Sequence, residues 1–396
     1  MKKSFLFFCM MASCIFLHGC FNNKPKEHQG FPIVDLTKKY PEMDFFVDDA
    51  DKEFIQLETT NEVLADQDFS IEYVSDERIV GVNRNRGDIF IFGSDGKVIS
   101  HFNSKGNSGI DYQCLQSIVF DEKRQEIFVA DDQSKKRCVV YSEKGKFIRQ
   151  FYFPENSSIT KLYNFDEQTL LAYNCYLHFG DIFDIIDQKM PYVFLSKNDG
   201  SIVSRVEISF HKRISDDFTL KLKDNVEVPL TLSTSIIVKY GQKFIIADRS
   251  SDTVFLMTQD KKLTPLYVRK PSVFDEKPLF VIPNLFVTDR YLYFHTLPLS
   301  YDIWVELMSK YILKGLPTKY PIQHFAYDLQ TSQVFNLDRV PFFKNVDASE
   351  NTVVKQWLAD ELIEDLENGK LDGKLKMMAQ NINEEDNPVI EIIKFR

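Results

Sequence analysis

Three short polar segments of the chain are rich in cationic side chains that could bind an anion. They are residues 83–87, 131–137 and 248–252, and their cations are Arg84, Arg86, Lys135, Lys136, Arg137 and Arg249. A guanidinium group donates parallel hydrogen bonds to two oxygens of a carboxylate, sulfate or phosphate. We expect an anionic ligand at these segments. The alternative is that the cations are solvated turn residues paired with nearby aspartates.

Tyr112 and His295 are further candidates for ligand contacts. A ring with a polar tip can stack on a sugar and hydrogen-bond to it, and packing at strand ends is the alternative role. Together with four of the arginines they form the predicted ligand-binding set: Arg84, Arg86, Tyr112, Arg137, Arg249 and His295.

Asp131 and Asp248 occupy matching places, each after an alanine at the end of an apolar run. An aspartate at the start of a turn accepts hydrogen bonds from the backbone two residues on, and we favour this role over metal ligation or paired catalytic carboxylates. The histidines lack the i, i+2 or i, i+4 spacing typical of zinc sites. We therefore predict no metal and no cofactor, and we assign no catalytic residue.

The cysteines do not form a regular pattern. Three of the six fall within the first twenty residues, which leaves Cys114, Cys138 and Cys175. Three thiols allow one disulfide and one thiol, or three buried thiols, and we favour the second because cysteine is among the most buried residue types.

The first twenty residues carry the features of an export signal. Lys2 and Lys3 precede an apolar run that is too short to span a bilayer and ends at Leu17-His18-Gly19-Cys20. This ending is similar to the lipobox of exported lipoproteins, which implies cleavage before Cys20 and attachment of lipid to that residue. We expect a signal peptide over residues 1–19 and a lipidated linker over residues 20–32. Several acyl chains on one residue would hold the protein firmly to a membrane.

The charge of the chain argues against a nucleic-acid partner. Loss of residues 1–19 removes two lysines and no acidic residue, so the formal charge changes from −10 to −12. A protein that binds the phosphate backbone needs the opposite balance.

The remainder of the chain repeats one unit of short apolar strands joined by tight turns. Residues 76–102, 124–151 and 241–268 each contain two strands, a turn marked by glycine or lysine, and a further strand. The turn markers Gly96, Gly145, Gly200, Lys261 and about Thr331 recur at intervals of 49, 55, 61 and about 70 residues. This period, lengthened by insertions, predicts a β-propeller, because a four-stranded unit of this size buries its faces only against its neighbours.

The two ends of the mature chain supply a sixth unit. Phe54–Glu58 and Pro388–Phe395 read as strands, and their pairing would close the ring with ladder hydrogen bonds. The predicted fold is therefore all-β, a six-bladed propeller over residues 33–396 whose N- and C-terminal strands complete the last blade. A helical insertion is expected at about 351–380, with Val354, Trp357, Leu358 and Leu362 on one side of a helix.

Cys20, the segment Phe54–Thr60, the two Gly-Lys hairpins and Asn387-Pro388-Val389-Ile390 together resemble the six-bladed β-propeller lipoproteins of Gram-negative bacteria, which are related to NHL-repeat propellers. The resemblance spans nearly the whole mature chain. It implies an address at the outer membrane.

Three functional hypotheses remain. The first is a non-catalytic binding module for an anionic saccharide, peptide or partner protein, presented by loops on a rigid scaffold. The second is an enzyme, a lyase or hydrolase acting on a saccharide or peptide, whose residues would come from separate blades and leave no local motif. The third is a structural subunit of an envelope complex that docks through the C-terminal helices. We favour the first.

Overall fold

Short strands pair into six mainly antiparallel sheets, the blades of a propeller, in the computed structural model. The structure describes residues 30–395 apart from 46–49, 66–67, 132–134, 156, 176–184, 187–189, 209, 211, 216, 223–225, 232–235, 275–278, 282–285, 300, 311–321, 339, 341–342, 344–345 and 350. The predicted signal peptide over residues 1–19 and the predicted lipidation site Cys20 lie outside these residues.

An N-terminal segment precedes the first blade and carries strands β1 (Ile33–Asp35) and β2 (Ala50–Gln56). Blade 1 consists of β3 (Phe69–Val74), β4 (Arg78–Asn83), β5 (Asp88–Gly93) and β6 (Val98–Asn103). Blade 2 consists of β7 (Ser117–Asp121), β8 (Glu126–Asp131), β9 (Arg137–Ser142) and β10 (Phe147–Tyr152). In both blades each strand pairs with the next one along the chain, and the first strand is the innermost.

Blades 3 and 4 repeat this order with an insertion. Blade 3 consists of β11 (Ile159–Asn164), β12 (Thr169–Asn174), β14 (Tyr192–Ser196) and β15 (Ile202–Arg205), with β13 (Ile185–Ile186) lying between β12 and β14 in the chain. Between the blades, β16 (Arg213–Ile214) pairs with β13, and β17 (Asp217–Lys221) pairs with β18 (Glu227–Thr231). Blade 4 consists of β19 (Ile237–Tyr240), β20 (Lys243–Ile246), β21 (Thr253–Met257) and β22 (Leu263–Lys270).

Blade 5 follows a short strand, β23 (Leu279–Val281), that pairs with the far end of β25. Its strands are β24 (Phe286–Val287), β25 (Tyr291–Leu299), β26 (Gln323–Asp328) and β27 (Val334–Leu337), and helix α1 (Tyr301–Met308) follows β25. Blade 6 contains β28 (Thr352–Trp357) and β29 (Val389–Phe395), and β2 is its outer strand. Gln56 pairs with Val389 and Ala50 with Phe395, so the predicted closure of the ring by the two chain ends is confirmed.

The helical insertion begins later than predicted. Helices α2 (Ala359–Glu367) and α3 (Gly373–Ala379) lie within the predicted range, but residues 352–357 form strand β28 on β29. Val353 and Val354 are both buried, and consecutive β-branched residues favour a strand. The spacing of Val354, Trp357 and Leu358 fitted a helix because a short apolar run fits both periods.

The hydrophobic core is divided into clusters that lie between neighbouring blades. Val82 and Ile89 of blade 1 pack with Ile127 and Val129 of blade 2, and similar clusters join blades 2 and 3, 3 and 4, 4 and 5, and 6 and 1. Blades 1 to 4 thus each bury two faces against their neighbours, as a propeller requires. Helices α2 and α3 form a separate cluster on blade 6, where Leu362 is fully buried.

The N-terminal segment runs along the outer edges of three successive blades. β1 pairs in parallel with β22 of blade 4, Glu42 bridges to Asn336 of blade 5, and β2 pairs with β29 of blade 6. We call residues 30–56, as far as they are described, the strap. It covers strand edges that would otherwise expose unpaired backbone groups.

Within the described residues, Cys114, Cys138 and Cys175 form no disulfide, and the latter two are buried. The described helices are all too short or too polar to cross a bilayer.

Candidate functional site

The three cationic segments join the second and third strands of blades 1, 2 and 4, and so they lie at one end of the propeller, as expected. We call this end the upper face, and the end with the turns between first and second strands the lower face. Arg84 projects from the turn after β4, and a third of its side chain is exposed. Its guanidinium donates to the carbonyl of Leu115 at 2.5 Å and pairs with Glu72 at 2.9 Å. Arg84 therefore joins the first two blades beside the central channel.

The other arginines of blades 1 and 2 are engaged in structural contacts. Arg86 pairs with Asp88 at 2.7 Å and donates to the carbonyl of Leu64 at 2.5 Å. Arg137 is buried, where it pairs with Asp131 and donates to the carbonyls of Gly109 and Asp111 and to Gln150. The guanidinium of Arg137 fixes the connection between blades 1 and 2 and does not face solvent as the sequence suggested.

Two more members of the predicted set are also buried. Tyr112 is fully enclosed, and its hydroxyl donates to the carbonyl of Gly87 at 2.5 Å and accepts from the amide of Ser104. Arg249 lies near Tyr173 and Arg213, and burial lowers its pKa. Neither side chain therefore lines an exposed mouth. The acceptors and aromatic rings that enclose them cannot be identified from the sequence alone.

The recurring aspartates hold the upper loops. Asp248 accepts from the amide of Ser250 at 2.8 Å, and Asp131 accepts from the amides of Gln113 and Cys114 at 3.2 and 3.1 Å. The predicted bond from the backbone two residues on is confirmed for Asp248, whereas the amides bound by Asp131 lie 18 and 17 residues earlier in the chain. In the part of the chain that the structure describes, no three histidine, cysteine or carboxylate side chains are grouped to hold a metal ion.

The central channel contains charges that the sequence analysis did not single out. A cavity is lined by the innermost strands of blades 1 to 4 and by Val346 and Asp347 at the inner side of blade 6. Its charged residues are Glu72, Lys161, Lys239 and Asp347. Lys239 pairs with Asp347 at 2.5 Å across the channel, and Glu72 is the partner of Arg84.

Lys161 differs from these paired side chains. Among the described residues it has no ion pair and no hydrogen bond through its side chain, although it is accessible to water inside the channel. Protein surrounds it, and this loss of solvation lowers the pKa of its ammonium group. Glu72 acts against this effect and Arg84 adds to it. A cation with weakened solvation and no counter-ion is suited to bind an anion.

The lower end of the channel has a different character. A second cavity opens there, and its charged lining residues are four carboxylates and three lysines: Asp121, Glu122, Asp166, Glu167, Lys123, Lys197 and Lys239. Two of the carboxylates are engaged at blade boundaries, since Glu122 accepts from the hydroxyl of Tyr73 at 3.0 Å and Asp121 pairs with Lys197. Among the described lining residues, carboxylates therefore outnumber lysines in the lower cavity, whereas Lys161 adds an unpaired positive charge near Arg84 in the upper one.

His295, the last member of the predicted set, lies on β25 of blade 5. It is half-buried and faces His324 of β26, with 5.6 Å between the ring centroids. Burial lowers the pKa of His295 to about 4, and the neighbouring His324 contributes. His295 lies on blade 5 and Arg84 on blade 1, so the residues of the predicted ligand-binding set do not form one cluster.

Comparisons with known proteins identify a family and a fold. A family model described as "Domain of unknown function (DUF4934)" matches residues 44–394. A crystal structure described as a "Putative exported protein" from Bacteroides fragilis NCTC 9343 is similar at 14% identity with a TM-score of 0.61, covering 92% of this chain and 99% of that one. A DUF4221 family member from Bacteroides vulgatus is similar at 10% identity with a TM-score of 0.46, covering 87% and 96%. No curated protein sequence matches the chain.

Proposed function

Because the chain belongs to the DUF4934 family, whose description assigns no activity, we propose from its own residues that it is a lipid-anchored, non-catalytic binding module of the cell envelope. Its ligand carries an anionic group, a carboxylate or sulfate of a saccharide or peptide, that enters the central channel from the upper face. Lys161 binds this group, and Arg84 stands beside it.

One observation carries the proposal, namely the uncompensated charge of Lys161. Glu72 pairs with Arg84 and Asp347 with Lys239, so the other charges that line the upper cavity in the described residues cancel in pairs. An anionic group at Lys161 would supply the missing counter-ion and restore the interactions lost on desolvation. A hydrogen bond to a charged group contributes about 1.5–3 kcal/mol, which corresponds to roughly ten- to hundredfold in affinity.

The cellular address is supported by features at the N-terminus and by the exported relative. Residues 1–19 have the form of a signal peptide, and Cys20 follows in a lipobox-like sequence. The similar structure from Bacteroides fragilis is also described as exported. We place the protein on the outer membrane, held by lipid on Cys20. Metabolic labelling with a clickable fatty acid tests this placement, since the label should be lost in the Cys20→Ala variant.

The binding proposal is tested by calorimetry on the mature chain. Sulfated and uronic-acid oligosaccharides and an acidic peptide are compared with neutral counterparts of equal length. Binding of an anionic member, weakened at least about tenfold by Lys161→Gln, is the expected result. Lys370→Gln removes an exposed lysine of the C-terminal helical segment and should leave the affinity unchanged.

Two results would contradict the proposal. One is equal affinity of the parent and Lys161→Gln proteins for every anionic ligand that binds. The other is turnover: mass spectrometry of the ligand after incubation should show an intact compound, and cleavage would favour the lyase or hydrolase hypothesis.

A further inference from the structure

Blade 5 places two histidines directly opposite each other in neighbouring strands. His295 of β25 pairs in register with His324 of β26, in the series that also pairs Tyr293 with Ala326. Directly opposed residues on antiparallel strands have their Cβ atoms about 4.5–5.5 Å apart, and their side chains emerge on the same face of the sheet. The two imidazole rings are tilted by 59° with their centroids 5.6 Å apart. They are 29 positions apart in the chain, so their proximity cannot be predicted from a local sequence motif.

The other blades show what this position requires for packing alone. His295 is the fifth residue of the second strand of its blade, and the fifth residues of the corresponding strands in blades 1, 2 and 3 are Val82, Ala130 and Tyr173. Their partners in register are Ile89, Cys138 and Tyr192, and all six side chains are buried. Apolar or tyrosine pairs therefore satisfy the propeller at this level. Blade 5 instead has two ionisable rings, both only half-buried.

The hydrogen bonds of the pair are incomplete. Nδ1 of His324 is shielded from solvent and has no hydrogen-bond partner within the described residues. A buried ring nitrogen without a partner costs free energy that a bound ligand can recover. A neutral imidazole offers one nitrogen lone pair.

We propose that His295 and His324 together bind one late divalent transition-metal ion, Zn²⁺, Cu²⁺ or Ni²⁺. Imidazole nitrogen suits these metals, whereas Ca²⁺ and Mg²⁺ select oxygen ligands. Metal–nitrogen bonds of about 2.0–2.1 Å would place the centroids of two imidazoles on one tetrahedral ion roughly 5–5.5 Å apart. The observed separation of 5.6 Å is close to this value.

Two histidines supply fewer ligands than the three or four of most zinc sites. The remaining coordination positions belong to water or to a donor atom of a bound molecule. The metal would also cross-link β25 and β26, whose chain connection is the long insertion that contains α1. Metal binding should therefore stabilise the folded blade, and the stabilisation should increase with the logarithm of the free metal concentration above Kd.

The test is metal titration of the mature chain, produced without a histidine tag and dialysed against chelator. Calorimetry with Zn²⁺, Cu²⁺ or Ni²⁺ alone should show one equivalent bound and a higher melting temperature. His295→Ala and His324→Ala should each weaken binding on the order of a hundredfold, because the second ligand no longer acts within a chelate. The paramagnetic resonance spectrum of the Cu²⁺ form should change from two coupled nitrogens to one.

Three controls keep the result specific. His101→Gln replaces a histidine whose ring contacts Asp88 and stacks on Phe90, and metal binding should be unchanged. Lys161→Gln should also bind metal normally, so failure of the anion proposal would leave this one standing. The double variant His295→Gln/His324→Gln retains bulk and hydrogen-bonding atoms. It should fold but no longer bind one equivalent of metal. Undiminished binding by that variant, or no binding by the folded parent at millimolar metal, overturns the proposal.

Discussion

The ammonium group of Lys197 lies 2.6 Å from the carboxylate of Asp121, and both side chains are almost fully buried. Asp121 ends the innermost strand of blade 2, and Lys197 starts the turn after the third strand of blade 3. Nζ of Lys197 also donates to Asn164 at 2.7 Å and to the carbonyl of Asp166 at 2.5 Å. One buried cation thus joins two neighbouring blades on the lower face.

Removing this cation should be strongly destabilising. Lys197→Met leaves Asp121 buried without its main partner, and breaking a buried pair from one side costs about 3–5 kcal/mol. Urea denaturation followed by fluorescence measures the change. The double variant Lys197→Met/Asp121→Asn should lose less than the sum of the single variants, because the coupling energy is removed only once.

The same blade boundary offers a matched control. Lys123 and Glu167 also pair at 2.8 Å between blades 2 and 3, but both side chains are more than two-thirds exposed. Lys123→Met should leave the denaturation midpoint unchanged, since solvent screens an exposed pair. Equal losses of unfolding free energy in Lys197→Met and Lys123→Met would show that burial does not determine the contribution of the Lys197–Asp121 pair.

The turn glycines that reveal the repeat also form contacts between blades. Gly200 has φ +73°, and a Cβ placed on it would lie 2.2 Å from the ring of Phe151 in blade 2. Gly145 stands in the same relation to Phe102, at 2.5 Å. Each turn therefore fits against the outer strand of the preceding blade only without a side chain.

Gly200→Ala should lower the free energy of unfolding by about 2–4 kcal/mol, from left-handed strain plus overpacking against Phe151. Gly369→Ala separates the two causes, because Gly369 has φ +67° with nothing within 4 Å of its Cβ position. Its loss should be about 1–2 kcal/mol, the strain alone. Gly109→Ala, which meets neither problem, should stay within about 0.5 kcal/mol of the parent. Equal effects of Gly200→Ala and Gly369→Ala would contradict the packing contact.

The strap should contribute measurably to stability through its buried residues. Leu36 is almost fully buried in the cluster between blades 4 and 5, and its amide donates to the carbonyl of Lys270 at 2.7 Å. Leu36→Ala should therefore cost about 2–5 kcal/mol, measured by urea denaturation. Ile33 lies three residues earlier on the same edge and is 62% exposed. Ile33→Ala should change the free energy of unfolding little. A loss as large as that of Leu36→Ala would contradict the expectation that the strap stabilises the fold through its buried residues.

The fold could be predicted because its signals are local. Turn glycines at positive φ, such as Gly96 and Gly145, mark a hairpin wherever they occur, and their recurrence gives the repeat. The strap could not be predicted in the same way. β1 has only three residues, and its partners on β22 lie some 235 positions further along the chain. The start of the helical insertion was wrong because residues 352–357 fit both periods until the pairing with β29 is known.

The candidate site was harder to predict than the fold. The number of arginines at the upper face is visible in the sequence, but their acceptors are not. Arg137 donates to the carbonyls of Gly109 and Asp111, and contacts with backbone carbonyls cannot be predicted from a pattern of side chains. Lys161 reads as an ordinary polar residue of a half-buried strand, and only the ring of inner strands places it in the channel. The opposed pair of His295 and His324 is likewise a consequence of strand register.

The lowered pKa of Lys161 predicts how its contribution to stability depends on pH. The unfolded chain contains an ordinary lysine, so between the lowered folded pKa and the ordinary value the unfolded state binds more protons. Stability of the parent should therefore rise as the pH increases through that window. Lys161→Met lacks this charge and should be more stable than the parent at pH 7, with a difference that shrinks towards pH 10.

Urea denaturation of both proteins at a series of pH values measures this difference. Lys374→Met removes an exposed lysine of α3 and corrects for the general effect of losing a positive charge. A gap between parent and Lys161→Met that stays constant or widens with rising pH would show that the channel does not disfavour the ammonium form. An anion bound at Lys161 should stabilise that form, so saturating ligand should bring the parent level with, or above, the variant at pH 7.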